Sequence, residues 1–196
     1  MARGERLGVL GGTFDPPHIG HLVAAVNAFH ALSLDRVLLV VSNIPWQKVG
    51  SRPITPARDR LDLVRAAVAG HPGLVASDLE VRLGGESSTV ATLEYLRAER
   101  PDRELFLVLG ADAAAGLPTW RRSERLPGLC TLVVVDRPGA GQGVPWAGDV
   151  VRVAIPGLDI SSTELRRRAA AGQPVDFLVP EGVALLMGER LLYRGG

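Results

Sequence analysis

Residues 6–29 read "RLGVLGGTFDPPHIGHLVAAVNAF", and the period of the apolar residues changes partway along. The first five residues, "RLGVL" (6–10), form a short apolar strand that runs into the double glycine Gly11-Gly12. Beyond Pro16 and Pro17, Ile19, Leu22, Val23, Val26 and Phe29 recur at spacings of three and four, one face of an amphipathic helix. A strand, a glycine turn and a helix in immediate succession predict a βα unit.

The alternation continues outward. "RVLLVVS" (36–42) predicts a second strand. "TPARDRLDLVRAAVAG" (55–70) predicts a helix capped by Thr55, with proline at its first position and glycine at its end. "LVASDLEVR" (74–82) reads as a third strand and "STVATLEYLRAER" (88–100) as a third helix. The continuous apolar runs "ELFLVLG" (104–110) and "LCTLVVV" (129–135) suit parallel strands covered on both faces. "VVRVAI" (150–155) predicts a sixth strand after the glycine- and proline-rich loop 136–149, and the chain from Ser161 onward reads as helical. The pattern predicts an α/β fold: an open, doubly wound, mostly parallel sheet with a small C-terminal helical part, residues 1–196 forming one domain. Ligands of such sheets sit beyond the carboxyl ends of the strands, near the topological switch point.

Composition narrows the classes. The 196 residues are 46% hydrophobic and 22% charged, with a net charge of +1, which argues against a broad nucleic-acid surface but leaves room for a local anion site. The longest aliphatic run, Val37 to Val41, is far too short to span a bilayer, and the N-terminus has no signal-peptide pattern, so no membrane and a cytoplasmic setting are expected. The single cysteine, Cys130, reads as a small buried apolar residue. Of 22 basic residues all but one are arginine; the exception is Lys48, in the polar loop "NIPWQKV" (43–49).

Two sites emerge from the residues. Gly11 and Gly12, between strand and helix, allow backbone N–H groups to approach a phosphate beside the positive end of the helix dipole. This is neither a Walker loop nor a GxGxxG fingerprint. His18 and His21, three apart at the helix start, can turn both rings toward whatever the glycine turn holds. No acidic or cysteine cluster nearby supplies a third metal ligand, so no metal site is expected. Near the other end, "ISSTELRRR" (160–168) pairs Ser161 with Glu164 as a capping box. That capped end still offers the amides and hydroxyls of Ser162 and Thr163 to an anion, and Arg166, one turn on, can form two parallel hydrogen bonds to a phosphate. Arg167 and Arg168 point elsewhere. Asp112, after the fourth strand, could accept ribose hydroxyls; its plainer reading is a helix cap. "GESSTVATL" (85–93) opens the third helix with another anion-ready end.

"GGTFDPPHIGH" together with "ISSTELR", about 140 residues later, resembles the His-x-Gly-His nucleotidyltransferases, and within them the nicotinate mononucleotide adenylyltransferase family. The literal His-Ile-Gly-His also resembles class I aminoacyl-tRNA synthetases, but their second lysine-rich signature and tRNA-binding domains have no counterpart here. The resemblance extends to "VDRPG" (135–139) and "LVPEGV" (178–183), and it implies a Rossmann-like nucleotidyltransferase fold. It implies that ATP is held by Gly11, Gly12, Thr13, Phe14, Gly110, Asp112, Ser162 and Thr163. His18 and His21 would meet the α-phosphate, Lys48 the phosphates and Arg166 the departing pyrophosphate. It further implies that Trp120 stacks on a pyridine ring, while amides around Thr89 and the Thr119-Trp120 segment receive the nicotinate carboxylate. Two departures stand out: Trp46-Gln47 replaces the more usual Pro-His, and Ser88 stands where many relatives carry an aromatic residue.

The implied reaction joins the 5′-phosphate of nicotinate mononucleotide to the α-phosphorus of ATP, with Mg²⁺ arriving on the nucleotide, no nucleic-acid partner, and self-association left open. It needs neither a general base nor a protein nucleophile, only alignment and charge neutralisation. Nicotinamide mononucleotide or phosphopantetheine as acceptor remains an alternative, as does a nucleotide-sensing module without turnover.

Overall fold

The computed structural model describes residues 3–45, 50, 53–136 and 143–194. Six strands form one fully parallel sheet: β1 (Arg6–Gly12), β2 (Arg36–Val41), β3 (Leu74–Ser77), β4 (Glu104–Gly110), β5 (Thr131–Asp136) and β6 (Val150–Ala154). Their order is β3-β2-β1-β4-β5-β6. The chain winds outward from β1 in one direction, then returns to start again at β4 in the other. That places the switch point between β1 and β4, which pair in parallel from Arg6↔Glu104 to Val9↔Leu107. This is the doubly wound, Rossmann-like order.

The helices α1 (Ile19–Ala31), α2 (Ala57–Val68), α3 (Leu79–Leu83), α4 (Thr89–Glu99), α5 (Ala111–Ala115), α6 (Ser162–Ala170) and α7 (Glu181–Glu189) cover the sheet. The strands are apolar on both faces because both are covered. Leu10, Leu39, Val41, Phe106, Val108 and Val133 pack on one side with α1 and α2. Leu7, Val9, Val40, Leu107, Leu109 and Leu132 pack on the other with α4. Each such fully buried side chain contributes about 1.5–3 kcal/mol of transfer free energy. A third cluster joins Leu63 of α2 to Leu165 of α6 and to Val183 and Met187 of α7, tying the C-terminal helices to the sheet layer. Among the described residues no helix is long and apolar enough to cross a membrane.

Two local expectations fail for identifiable reasons. The stretch 74–82 is not one strand: β3 stops at Ser77 and α3 begins at Leu79. Alternation of Leu79 and Val81 with Glu80 and Arg82 imitates a strand, but a five-residue helix is too short to display a 3.6 period. Nor is Thr55 the cap of α2, since Pro56 takes that position without a side-chain bond. The Thr55 side chain is committed elsewhere, in a hydrogen bond with Tyr193, and its carbonyl accepts Nε of Arg60 at 2.7 Å. Cys130 lies just before β5 rather than in it, and is buried as expected, with its thiol pushed up to about 12 by burial.

Candidate active site

The carboxyl ends of β1 and β4 open into a cleft of about 270 Å³. Gly11, Gly12 and Thr13 form one wall; Ser87, Ser88 and Thr89 at the start of α4, with Trp120 and Arg121, form the other. The predicted phosphate turn and the predicted acceptor residues therefore face the same space. A side chain at Gly11 would meet nothing within 4 Å, so packing does not demand glycine there, and the open space leaves the backbone accessible. At Gly12 a Cβ would come within 2.9 Å of the Phe14 ring. Phe14 is 2% exposed with a φ of 51°, a left-handed conformation held by its burial under the turn. Its ring is core, so only its backbone could meet a nucleotide.

The two histidines occupy different positions on α1. His18 is the N-cap and His21 sits three residues on, at the third helical position. Their rings stack at 3.7 Å between centroids with a 30° tilt, and the edge of Phe14 meets His21 at 5.0 Å. The backbone N–H of His18 donates to Nδ1 of His21 at 3.1 Å. An acceptor Nδ1 places the proton of neutral His21 on Nε2, making that nitrogen the donor. The His18 ring lies over the first turn, where a Cβ at residue 20 would approach its Nδ1 to 3.0 Å. A side chain at residue 20 would press on the His18 ring, and glycine leaves the ring that space. His18 is buried, its Nδ1 has no hydrogen-bond partner, and burial pushes its pKa down to about 4.

The loop before α1 is fastened to the other end of the chain. Nη1 of Arg166 donates to the Asp15 carbonyl at 2.8 Å, and the Ser162 hydroxyl donates to the Pro16 carbonyl at 2.8 Å. Nη2 of Arg166 also donates to Thr163 Oγ1 at 3.1 Å. Ile19 N–H reaches the Leu178 carbonyl at 3.0 Å, and Tyr193 donates its hydroxyl to Asp15 Oδ1 at 2.8 Å. The two sequence motifs are thus physically joined. In α6, Ser161 caps by accepting from Glu164 N–H at 3.2 Å, while the Glu164 carboxylate pairs with Arg167 instead of closing the box.

Several predicted residues stand apart from the cleft lining. Gly110 is the N-cap of α5; it and Asp112, second residue of that helix, are exposed. Thr119 is exposed, its hydroxyl turned back to the Gly116 carbonyl at 2.8 Å. Trp120 is half-buried, packing against the cluster that includes Leu117 and Leu126 while lining the cleft. Lys48 and Trp46 lie outside the described residues. Among the described residues no group of three or more His, Cys, Asp or Glu side chains could hold a metal ion.

Sequence reading missed three participants. Arg60, 1% exposed, reaches beneath the site and donates to the carbonyls of Thr13 at 2.7 Å and Asn43 at 3.1 Å, joining the loops after β1 and β2. Tyr193 is the second, at the far end of the chain from Asp15. The third is Glu80 of α3, a buried carboxyl in the cleft wall.

Comparison with known proteins came out consistently. Residues 9–168 match the cytidylyltransferase-like family. A probable nicotinate-nucleotide adenylyltransferase of Thermus thermophilus is 44% identical over 190 residues, covering 96% of this chain and 100% of that one. A probable nicotinate-nucleotide adenylyltransferase of Corynebacterium kroppenstedtii is 43% identical over 192 residues, covering 96% and 90%. Among solved structures, the Plasmodium falciparum nicotinic acid mononucleotide adenylyltransferase complexed with NaAD superposes with a TM-score of 0.80 over 96% of this chain and 97% of that one. Its identity is 16%, so the likeness is one of fold.

Proposed function

Because the chain belongs to the cytidylyltransferase-like family, and within it to the nicotinate-nucleotide adenylyltransferases, we propose that it joins ATP to nicotinate mononucleotide, releasing pyrophosphate and forming nicotinate adenine dinucleotide. The observation that carries the reading is the cleft at the β1/β4 switch point, with a glycine turn on one wall and Thr89 and Trp120 on the other. One nucleotide on each side brings the mononucleotide phosphate against the α-phosphorus of ATP.

The acceptor phosphate is ionised at neutral pH and attacks directly; its oxygen forms the new P–O bond as the bond to pyrophosphate breaks. The protein's task is alignment and charge neutralisation. Nε2–H of His21 donates to the α-phosphate, beside His18 and the amides of Gly11, Gly12 and Thr13. The first turn of α6, with Ser162, Thr163 and Arg166, receives the departing pyrophosphate, and Lys48 adds a phosphate contact. Gly110 and Asp112 flank the nucleoside of ATP, and Trp120 stacks on the pyridine ring. The Ser88-capped start of α4 and the Thr119-Trp120 segment receive the carboxylate. Mg²⁺ arriving with the nucleotide would neutralise phosphate charge, and no group of acidic or histidine side chains among the described residues would be needed to hold it. The single six-stranded sheet of the described residues supports reading residues 1–196 as a single domain.

The test is pyrophosphate release from ATP with a panel of acceptors. Nicotinate mononucleotide should exceed its amide by at least about tenfold in kcat/KM, because a carboxylate suits N–H donors that an amide NH₂ meets badly. Equal kcat/KM would remove nicotinate as the preferred acceptor. Turnover with neither would remove adenylyl transfer to a pyridine mononucleotide altogether.

A further inference from the structure

Arg60 of α2 has no part in the chemistry above, yet it is buried beneath the glycine turn with each of its three guanidinium nitrogens donating to a backbone carbonyl. Nη1 donates to Thr13 at 2.7 Å, Nη2 to Asn43 at 3.1 Å and Nε to Thr55 at 2.7 Å. The first carbonyl belongs to the wall of the cleft assigned to ATP. The second belongs to the loop after β2, which is itself bonded to the acceptor wall. Nδ2 of Asn43 donates to the Gly85 carbonyl at 2.8 Å, and the Ser87 N–H donates to the Ile44 carbonyl at 3.0 Å. One rigid, planar group thus spans the connection between the two walls.

The bond to Thr13 also sets the direction of the next amide. In a trans peptide the carbonyl and the following N–H point opposite ways, so drawing the Thr13 carbonyl onto Arg60 turns the N–H of Phe14 away from the guanidinium. Among the described residues no backbone carbonyl accepts that N–H. Phe14 has a φ of 51°, a conformation that an aromatic residue keeps only where its surroundings over-determine it. Resting on the reaction assigned above, we propose that Arg60 is a positioning residue: its guanidinium aims the Phe14 N–H at the nucleotide phosphates and fixes the separation of the two walls that carry the reacting groups. It touches neither substrate. Alignment of this kind governs turnover more than binding, since each wall still holds its own nucleotide when the relation between them loosens.

The experiment compares the wild type with Arg60→Lys, which keeps a buried cation and loses the fork. Steady-state kinetics with ATP and nicotinate mononucleotide, run below the melting transition of the variant, should show kcat lower by about 10²-fold, the cost of roughly 1 Å of misalignment, with both KM values within about threefold. The amide resonance of Phe14 should move when ATP is added to the wild type, and move much less in the variant. If Arg60→Lys keeps kcat within about threefold of the wild type, the fork aligns nothing and the inference fails. If the loss lies in both KM values instead, Arg60 maintains the binding surfaces, and the inference fails again. Should the lysine variant not fold, the wild-type resonance decides: a Phe14 amide that ATP leaves unmoved overturns the inference. A wild type that adenylylates neither pyridine mononucleotide would instead overturn the acceptor assignment, and the Phe14 resonance with ATP still tests Arg60.

Discussion

At the scale of single residues, the His-Ile-Gly-His segment is a self-consistent device. The backbone N–H of His18 fixes the tautomer of His21, and Gly20 gives the His18 ring room to lie over the first turn. His21 then presents Nε2–H in a fixed direction at no reorganisation cost during reaction, the condition under which a donor is worth most to a transition state. Replacing His21 with alanine should lower kcat by about 10² to 10³ while the thermal midpoint moves little. Steady-state kinetics beside a melting curve checks this; retained specific activity in a destabilised protein would make the ring structural. The placing of His18 and His21 three apart at the start of a helix was legible in sequence because it is local, whereas the His21 tautomer and the fit of Gly20 under the His18 ring needed the folded turn. Phe14 sits in the same motif but is read differently once its burial is known, since nothing in the letters separates a ring that touches ligand from one that props the turn.

At the scale of elements, what holds the histidine turn is the C-terminal part of the chain. Tyr193 reaches Asp15 across 178 positions, and Ser162 and Arg166 reach Pro16 and Asp15 across 146 and 151. The Tyr193 hydroxyl is buried, which together with Asp15 raises its pKa well above the ordinary phenol range, so it remains a donor at every working pH. Tyr193→Phe deletes the hydroxyl, with its bonds to Asp15 and to Thr55, and keeps the ring. We expect kcat to fall about fivefold to tenfold, with KM for the acceptor within about twofold and a thermal midpoint about 2–4 °C lower. Unchanged kcat at the lowered midpoint would mean the contact stabilises the fold without positioning the turn. No sequence signal could have found this pair, because periodicity and capping rules describe neighbours along the chain. The α6 motif was legible as a capped helix, but its Ser162 hydroxyl is spent on Pro16, a partner that only the tertiary fold supplies. Glu80 escaped for another reason: its short helix carries a strand-like alternation, and a strand reading turns that carboxyl into an ordinary surface charge.

At the scale of the whole molecule, the two ends of the sheet are built differently, and the difference governs the response to acid. The amino ends of the strands are tied by ion pairs, with Arg103 bonded to Glu5 at 2.9 Å and Arg6 to Glu104 at 2.7 Å. Near the carboxyl ends lie buried polar groups, His18 and Glu80 among them. His18 has a folded pKa of about 4 against an unfolded value of about 6.5. Between those values the unfolded chain binds the extra proton, so stability rises with pH there. The contribution is complete above about 6.5 and is lost progressively as the pH falls toward 4. The shift corresponds to about 2 kcal/mol between pH 7 and pH 5, a large share of the stability of a domain of this size. Urea unfolding at both pH values should show the wild type losing that amount, with His18→Asn losing markedly less because an amide has no proton to gain. Parallel losses in the two proteins would place the acid sensitivity elsewhere. A smaller loss in the variant would mean that the fold spends stability at acid pH to keep a buried imidazole neutral.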